Sequence, residues 1–217
     1  GEKFCLLYGP GEKDKSHFSR EGARMMARLV AEGLEREVPE LRPHLQLIPP
    51  PPPGLPFEVK RVVVSKGYDG KTCWVHPRAG AIPGATPTVV LTMQKLLLTG
   101  SDVFYALNET RSADLGATWS PIVEHTKTLG RRNEPDEVIV GACDFTPKYH
   151  AKSGKLLGVG HTVRYKGDHV MAVRPRETAW SVYDADKQTW TPWTTLGMPK
   201  EAKFVNAGAG SVQRFDL

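Results

Sequence analysis

The sequence is short of cysteine, of long apolar runs and of clustered positive charge, and each shortage excludes something. Its three cysteines, Cys5, Cys73 and Cys143, lie far apart with no C-x-x-C spacing. So sparse and odd a set argues against a disulfide framework, although one pair stays open to an oxidising compartment; as small hydrophobes these residues suit a core. No stretch approaches the roughly 20 apolar residues of a membrane-spanning helix, so no membrane span is expected. Gly1 is followed by charge, not by a basic segment and then an apolar one, so no secretory signal is expected in these residues, which leaves the compartment open. The formal charge is +5; residues 1–56 carry eight basic and eight acidic side chains, whereas 57–217 carry 21 and 16. The densest basic step is Arg131-Arg132. Counterion release on nucleic acid takes several phosphate contacts from one face, so nucleic acid is not an expected partner and small anionic ligands are preferred. His76, His150 and His161 are scattered along the sequence, and neither a metal nor a cofactor is expected.

What is present falls into three segments. With 40% apolar residues the chain can bury one sizeable core. Residues 1–48 read as a small βα unit. Phe4-Cys5-Leu6-Leu7-Tyr8 forms its strand, Gly9-Pro10-Gly11 its turn and Ser19 the N-cap of a helix. Gly22, Met25, Met26, Leu29, Val30 and Gly33 make one helical face, Pro39 closes it, and 45–48 offers a second strand. Such a turn can cradle a phosphate, but no lysine-serine pair follows, and the unit reads as architectural. It resembles the opening of ThuA-like or amidotransferase-like doubly wound domains over about 40 residues. Pro49 to Pro53, extended by Gly54 and Pro56, makes residues 49–56 a stiff polyproline linker. Beyond it, short β-branched runs at 59–64, 88–93, 103–107, 138–142, 156–165 and 170–173 alternate with turn signals at Asp69-Gly70, Ser153-Gly154 and Gly167-Asp168. Many short strands and no helical pattern predict a mainly β region over 57–217.

One motif sharpens that expectation. Ser112-Ala113-Asp114-Leu115-Gly116-Ala117-Thr118-Trp119 fits S-x-D-x-G-x-T-W at every specified position. Asp114 can accept amides across a hairpin turn, Gly116 can take a positive φ, and Thr118 and Trp119 should open the next strand with the indole packed between sheets. A degenerate copy, Ser181-Val182-Tyr183-Asp184-Ala185-Asp186-Lys187-Gln188-Thr189-Trp190, keeps a Ser, an Asp and Thr-Trp in what reads as a longer turn. Each is followed by a Ser/Thr-Pro step, Ser120-Pro121 and Thr191-Pro192, and a recurring turn-and-strand unit is the signature of a repeat architecture. The long interval between the copies implies an elaborated loop near 129–137.

The motif is the Asp-box, and the chain resembles the sialidase (neuraminidase) superfamily over residues 70–217. The resemblance implies a partial six-bladed β-propeller: about two blades, then a strand of a third starting at 206–213. It also implies a site. The family's first-blade Arg-Ile-Pro strand, whose arginine grips the sialic acid carboxylate, corresponds to His76-Pro77-Arg78-Ala79-Gly80-Ala81-Ile82-Pro83, with Arg78 three residues further from Ile-Pro than the pattern asks. A guanidinium fork matches a carboxylate bidentately. Asp102, 24 residues after Arg78 and 12 before Asp114, falls where the family keeps its acid/base aspartate. Asp144, Arg174 and Arg176 are further substrate-binding candidates. The family's nucleophilic tyrosine, its glutamate partner and the other two arginines belong to later blades, and none is assigned here. Two readings follow: an exo-α-sialidase-type glycoside hydrolase, inactive as these residues alone, or a non-catalytic Asp-box propeller that binds a glycan or a protein. The expected partner is a sialylated or other anionic glycan, with self-association through open blade faces, in a secreted or periplasmic setting.

Overall fold

The computed structural model describes residues 20–45, 61–100, 102–173, 175–211 and 214. The fold divides into two units, Gly1–Lys60 and Arg61–Leu217. In the first, helix α1 (Arg20–Glu37) forms where the apolar spacing predicts one, and Pro39 opens a 3-10 turn, Pro39–His44, because its ring cannot continue the helix. Met25, Leu29 and Val30 on its apolar stripe remain exposed. The expected strand at 4–8, the Ser19 cap and residues 46–48 lie outside the described residues, as does the proline run.

The second unit is mainly β, with a curled sheet. Strands β1 (Thr72–Ile82), β2 (Thr88–Leu97), β3 (Phe104–Ser112) and β4 (Val123–Glu124) form an antiparallel meander. A second sheet runs in the order β10-β9-β7-β6-β5: β5 (Arg132–Glu134), β6 (Val138–His150), β7 (Lys155–Lys166), β9 (Thr178–Asp184) and β10 (Thr189–Trp190). Short strands β8 (His169–Val170) and β11 (Thr194–Thr195) add to β7 and β9. Three expectations need correction. Residues 61–64 pair with nothing in a ladder, and Val62 and Val63 are exposed. Of 170–173 only Val170 is in a strand. Thr118 and Trp119 do not open a strand either, because Asp114 holds Thr118 in the turn and pairing resumes only at Val123.

Both sheets follow one plan. In the first, Val75 pairs with Gln94 but Arg78 with Thr92; in the second, Cys143 pairs with His161 but Thr146 with Val159. Each leading strand thus carries one extra residue, a β-bulge. His76 and Asp144 sit in these bulges with left-handed backbones, φ 52° and 51°. The outer hairpins match as well. Thr110 Oγ1 donates to the Ser120 carbonyl at 2.7 Å, and Ser181 Oγ to the Thr191 carbonyl at 2.6 Å. The Arg111 amide bonds Ser120 Oγ, and the Val182 amide bonds Thr191 Oγ1, both at 3.0 Å. Both side-chain-to-carbonyl pairs are ten residues apart, so the second turn is not longer than the first. Ser181 therefore matches Thr110, not Ser112, and Trp190 matches Trp119.

The core lies between the sheets. Val90, Leu107, Val140, Leu156, Tyr183 and Trp190 are among its buried members, and Phe145 meets Trp190 edge-on at 5.1 Å. Such an aromatic pair adds about 0.5–1.5 kcal/mol beyond the area it buries. A buried carboxylate crosses the same interface. Glu109 of β3, only 2% exposed, accepts Trp190 Nε1 at 2.7 Å and the Tyr183 hydroxyl at 3.2 Å. It also faces His125 Nε2 at 2.9 Å and Arg111 Nε at 3.4 Å.

The residues after the second sheet share some local contacts of that plan. Ser211, three positions before Arg214, has φ 50°, as Asp144 does three positions before Pro147. A Cβ at Gly80 would come within 2.8 Å of the Pro147 carbonyl; at the matching place Lys148 Nζ donates to the Arg214 carbonyl. Gly210 lies hard against His161, the counterpart of Gln94. Residues 206–211 and Arg214 therefore sit against the second sheet, but where a strand was expected the described residues form only the isolated bridge at Asn206.

Candidate functional site

The two bulge residues and Ser211 converge. Asp144 Oδ1 accepts the Ser211 hydroxyl at 3.0 Å and lies 3.4 Å from His76 Nε2. Arg78 Nη2 approaches the same oxygen at 3.5 Å and donates to Ser211 Oγ at 3.3 Å. The cause is local. A left-handed bulge residue turns its side chain out of the regular alternation. Non-glycine residues in this conformation are uncommon, and such strain gathers at functional sites.

Beside this knot lies a cleft of about 160 Å³ lined by His76, Asp102, Phe104, Asp144, His161, Val163, Val170 and Arg176. Asp102 is exposed, and its own left-handed backbone (φ 52°) is fixed from the second sheet, where the Tyr165 hydroxyl donates to its carbonyl at 3.1 Å. Arg176 is anchored by a parallel bridge to Asn206. It is not the partner of its neighbour Glu177, whose carboxylate bonds Arg164 at 2.8 Å. Of the expected site residues, Asp102, Asp144 and Arg176 thus line one cleft, and Arg78 is bound to Asp144 at its margin. Arg174 lies outside the described residues.

Two histidines that look scattered in the sequence, His76 and His161, meet at Asp144; nothing short of the shared bulge register could have signalled this. His161 Nε2 lies 3.2 Å from Cys143 Sγ, and its Nδ1 lies 3.9 Å from Asp144 Oδ2. Burial pushes the Cys143 thiol well above its usual range, with Asp144 adding to the effect, so it stays protonated and is no nucleophile. Cys143, Asp144 and His161 present donor atoms within 4.8 Å of one another. Yet Asp144 already faces a guanidinium, a hydroxyl and two imidazoles, which suits a hydrogen-bonded cluster better than a cation cage. Tyr165 is 0% exposed with its hydroxyl bonded to the backbone of Asp102 and Phe104, and burial raises its phenol far above the ordinary value.

The turn at 112–119 sits apart from the cleft and is structural. Asp114 accepts the Thr118 amide at 2.9 Å and the Thr118 hydroxyl at 2.6 Å, while Ser112 Oγ donates to it at 2.8 Å. These donors, Thr118 foremost, hold its carboxyl at about 2. Gly116 supplies φ 90° and donates its amide to Ser112 Oγ at 2.7 Å. Trp119 is half-buried and bonds the Gly116 carbonyl within its own turn, so the indole packed between the sheets is Trp190 instead. In sequence comparison no family model and no curated protein matches the chain.

Proposed function

We propose that the two sheets are adjacent blades of a sialidase-type Asp-box propeller, with the residues from Asn206 to Ser211 opening the next, and that the cleft at their inner strands belongs to a site for an acidic sugar. The observation that carries this reading is the meeting of His76, Asp144 and Ser211, matching positions of three successive repeats, at one point. Repeats arranged around an axis bring equivalent inner-strand residues together in this way. Arg78 would hold the sugar carboxylate by charge-assisted bonds, displacing its long contact with Asp144. Asp102, exposed on the same cleft, would serve as general acid/base. Buried Tyr165 and Cys143 are set aside as nucleophiles, and the reading assigns that role to no residue here.

Titration with N-acetylneuraminic acid, followed by backbone and histidine NMR, tests the reading. Saturable shifts at His76 and Asp144 are expected, in the millimolar range that a single arginine supports. They should vanish with the neutral methyl ester and in Arg78→Ala. A wild-type chain that gives no saturable shift, or shifts that survive Arg78→Ala, would overturn it.

A further inference from the structure

Arg176 is the permanent cation among the residues that line the cleft, and among the described residues no carboxylate, carbonyl or hydroxyl bonds its guanidinium. Burial, then Asp144, push the Cys143 thiol up and the Arg176 charge opposes them, so the guanidinium lies within electrostatic reach of Cys143. The backbone around it is held firmly. Arg164 of β7, whose side chain is 12% exposed, donates Nη1 to the Pro175 carbonyl at 2.7 Å and Nη2 to Glu177 Oε2 at 2.8 Å. Its Nε and Nη2 also fork onto the Glu134 carboxylate of β5, both at 2.8 Å. Thr162 of the same strand accepts the Glu177 amide on Oγ1 at 3.0 Å and gives its own amide to the Glu177 carbonyl at 2.9 Å. On the other side the Arg176 backbone bridges Asn206, and a Cβ at Gly208 would come within 2.9 Å of the Arg176 Cβ. Both chain neighbours of Arg176 are thus tied to β7, while its guanidinium is bonded to nothing.

We propose that Arg164 is a positioning residue, which acts through Pro175 and Glu177 to hold Arg176 ready for an oxyanion group of the ligand in this cleft. The proposal takes from the function above only that the cleft receives an anion. A guanidinium forked onto carboxylates is planar and fixed in orientation, so Arg164 sets where residues 175–177 lie and not merely that they stay near β7. A cation whose backbone is fixed before the ligand arrives loses less freedom on binding than one carried by a loose loop. Arg164 also answers the charge of Glu177, the carboxylate next to Arg176 in the chain, which would otherwise be free to pair with Arg176 and compete with an anion.

The test is NMR of the Arg176 Nε–Hε signal while the whole chain is titrated with sulfate at constant ionic strength, with N-acetylneuraminic acid run in parallel. The wild type should give a saturable shift with both, and each variant is read with an anion that binds the wild type. Glu177→Ala is decisive, because the two views of it differ in sign. Loss of a nearby negative charge alone strengthens anion binding, whereas loss of the clamp weakens it, here by about threefold or more. Thr162→Val removes the Oγ1 acceptor without changing any charge; it should weaken binding as well and serves as the readout if Glu177→Ala does not fold. Arg164→Lys keeps the charge but not the fork, and should also weaken binding. A saturable shift with sulfate but none with the sugar would uphold the clamp and remove the acidic sugar as ligand. No saturable Arg176 shift with either anion, or Glu177→Ala and Thr162→Val proteins that bind as tightly as wild type, would overturn the proposal.

Discussion

Glu109→Gln is the most informative single change to the fold. The carboxylate sits on β3, but its donors Trp190 and Tyr183 come from the second sheet. The amide keeps one acceptor oxygen and replaces the other with an NH2 group, which then faces either the Trp190 and His125 nitrogens or the Tyr183 hydroxyl and Arg111. It also removes the negative charge that balances Arg111, whose side chain is only 18% exposed. Removing one partner from a buried charged network costs roughly 3–5 kcal/mol, since the groups left behind stay desolvated and unpaired. In a unit of this size each kcal/mol moves the melting temperature by about 2–4 °C, so a drop of roughly 6–20 °C is expected by circular dichroism. Trp190→Phe should cost less, about 1.5–3 kcal/mol for the lost bond to a charged acceptor plus the smaller ring. Because the two changes break one bond, the double variant should lose less than the sum of the singles. A Glu109→Gln protein within about 1 kcal/mol of wild type would refute the view that this carboxylate staples the sheets.

Three further outcomes follow. The Asp114 carboxyl is depressed from 3.8 to about 2 in the folded state, so its contribution is complete above about pH 4 and lost as pH falls toward 2. Asp114→Asn should flatten that acid limb of the stability curve, and an unchanged limb would count against the turn's bonds. Gly158→Ala should destabilise strongly, since its Cβ would come 1.9 Å from the Phe145 ring, and a melting temperature equal to wild type would mean that this ring does not lie over Gly158 on the neighbouring strand. On a fluorogenic sialoside the chain should show no turnover above background; robust hydrolysis by the purified protein would show that a nucleophile has been overlooked.

The hairpin turns were legible because their chemistry is local. Ser112, Asp114, Gly116 and Thr118 bond to one another within a few residues, so spacing alone specified them. The β character of 72–195 was legible for the same reason, through alternation and turn residues. Strand candidates failed where alternation had no partner to pair with, as at 61–64. The Glu109 hub was invisible, because a glutamate within a strand looks like a solvent-facing residue until its partners arrive from β9 and β10. The alignment of the two turns also went astray: Ser181 invited a match with Ser112, whereas the bonds at Thr191 place it with Thr110. The meeting of His76 and His161 at Asp144 needed bulge register, which no local pattern encodes.

Those bulges have a consequence for how such a protein can change. A left-handed position at the end of a ladder segment places few demands on its side chain beyond tolerance of that backbone; the two bulges fill it with histidine and aspartate, and Ser211 shares the same left-handed φ. Asp144 and Ser211 bond each other at the shared point, while the His76 ring also packs 4.9 Å from that of buried Phe104. Exchange at any one of them alters charge or hydrogen bonding at the shared point while the sheets that carry it stay put. The scaffold thus offers one variable address per repeat, and the chemistry at the centre can be rewritten one address at a time.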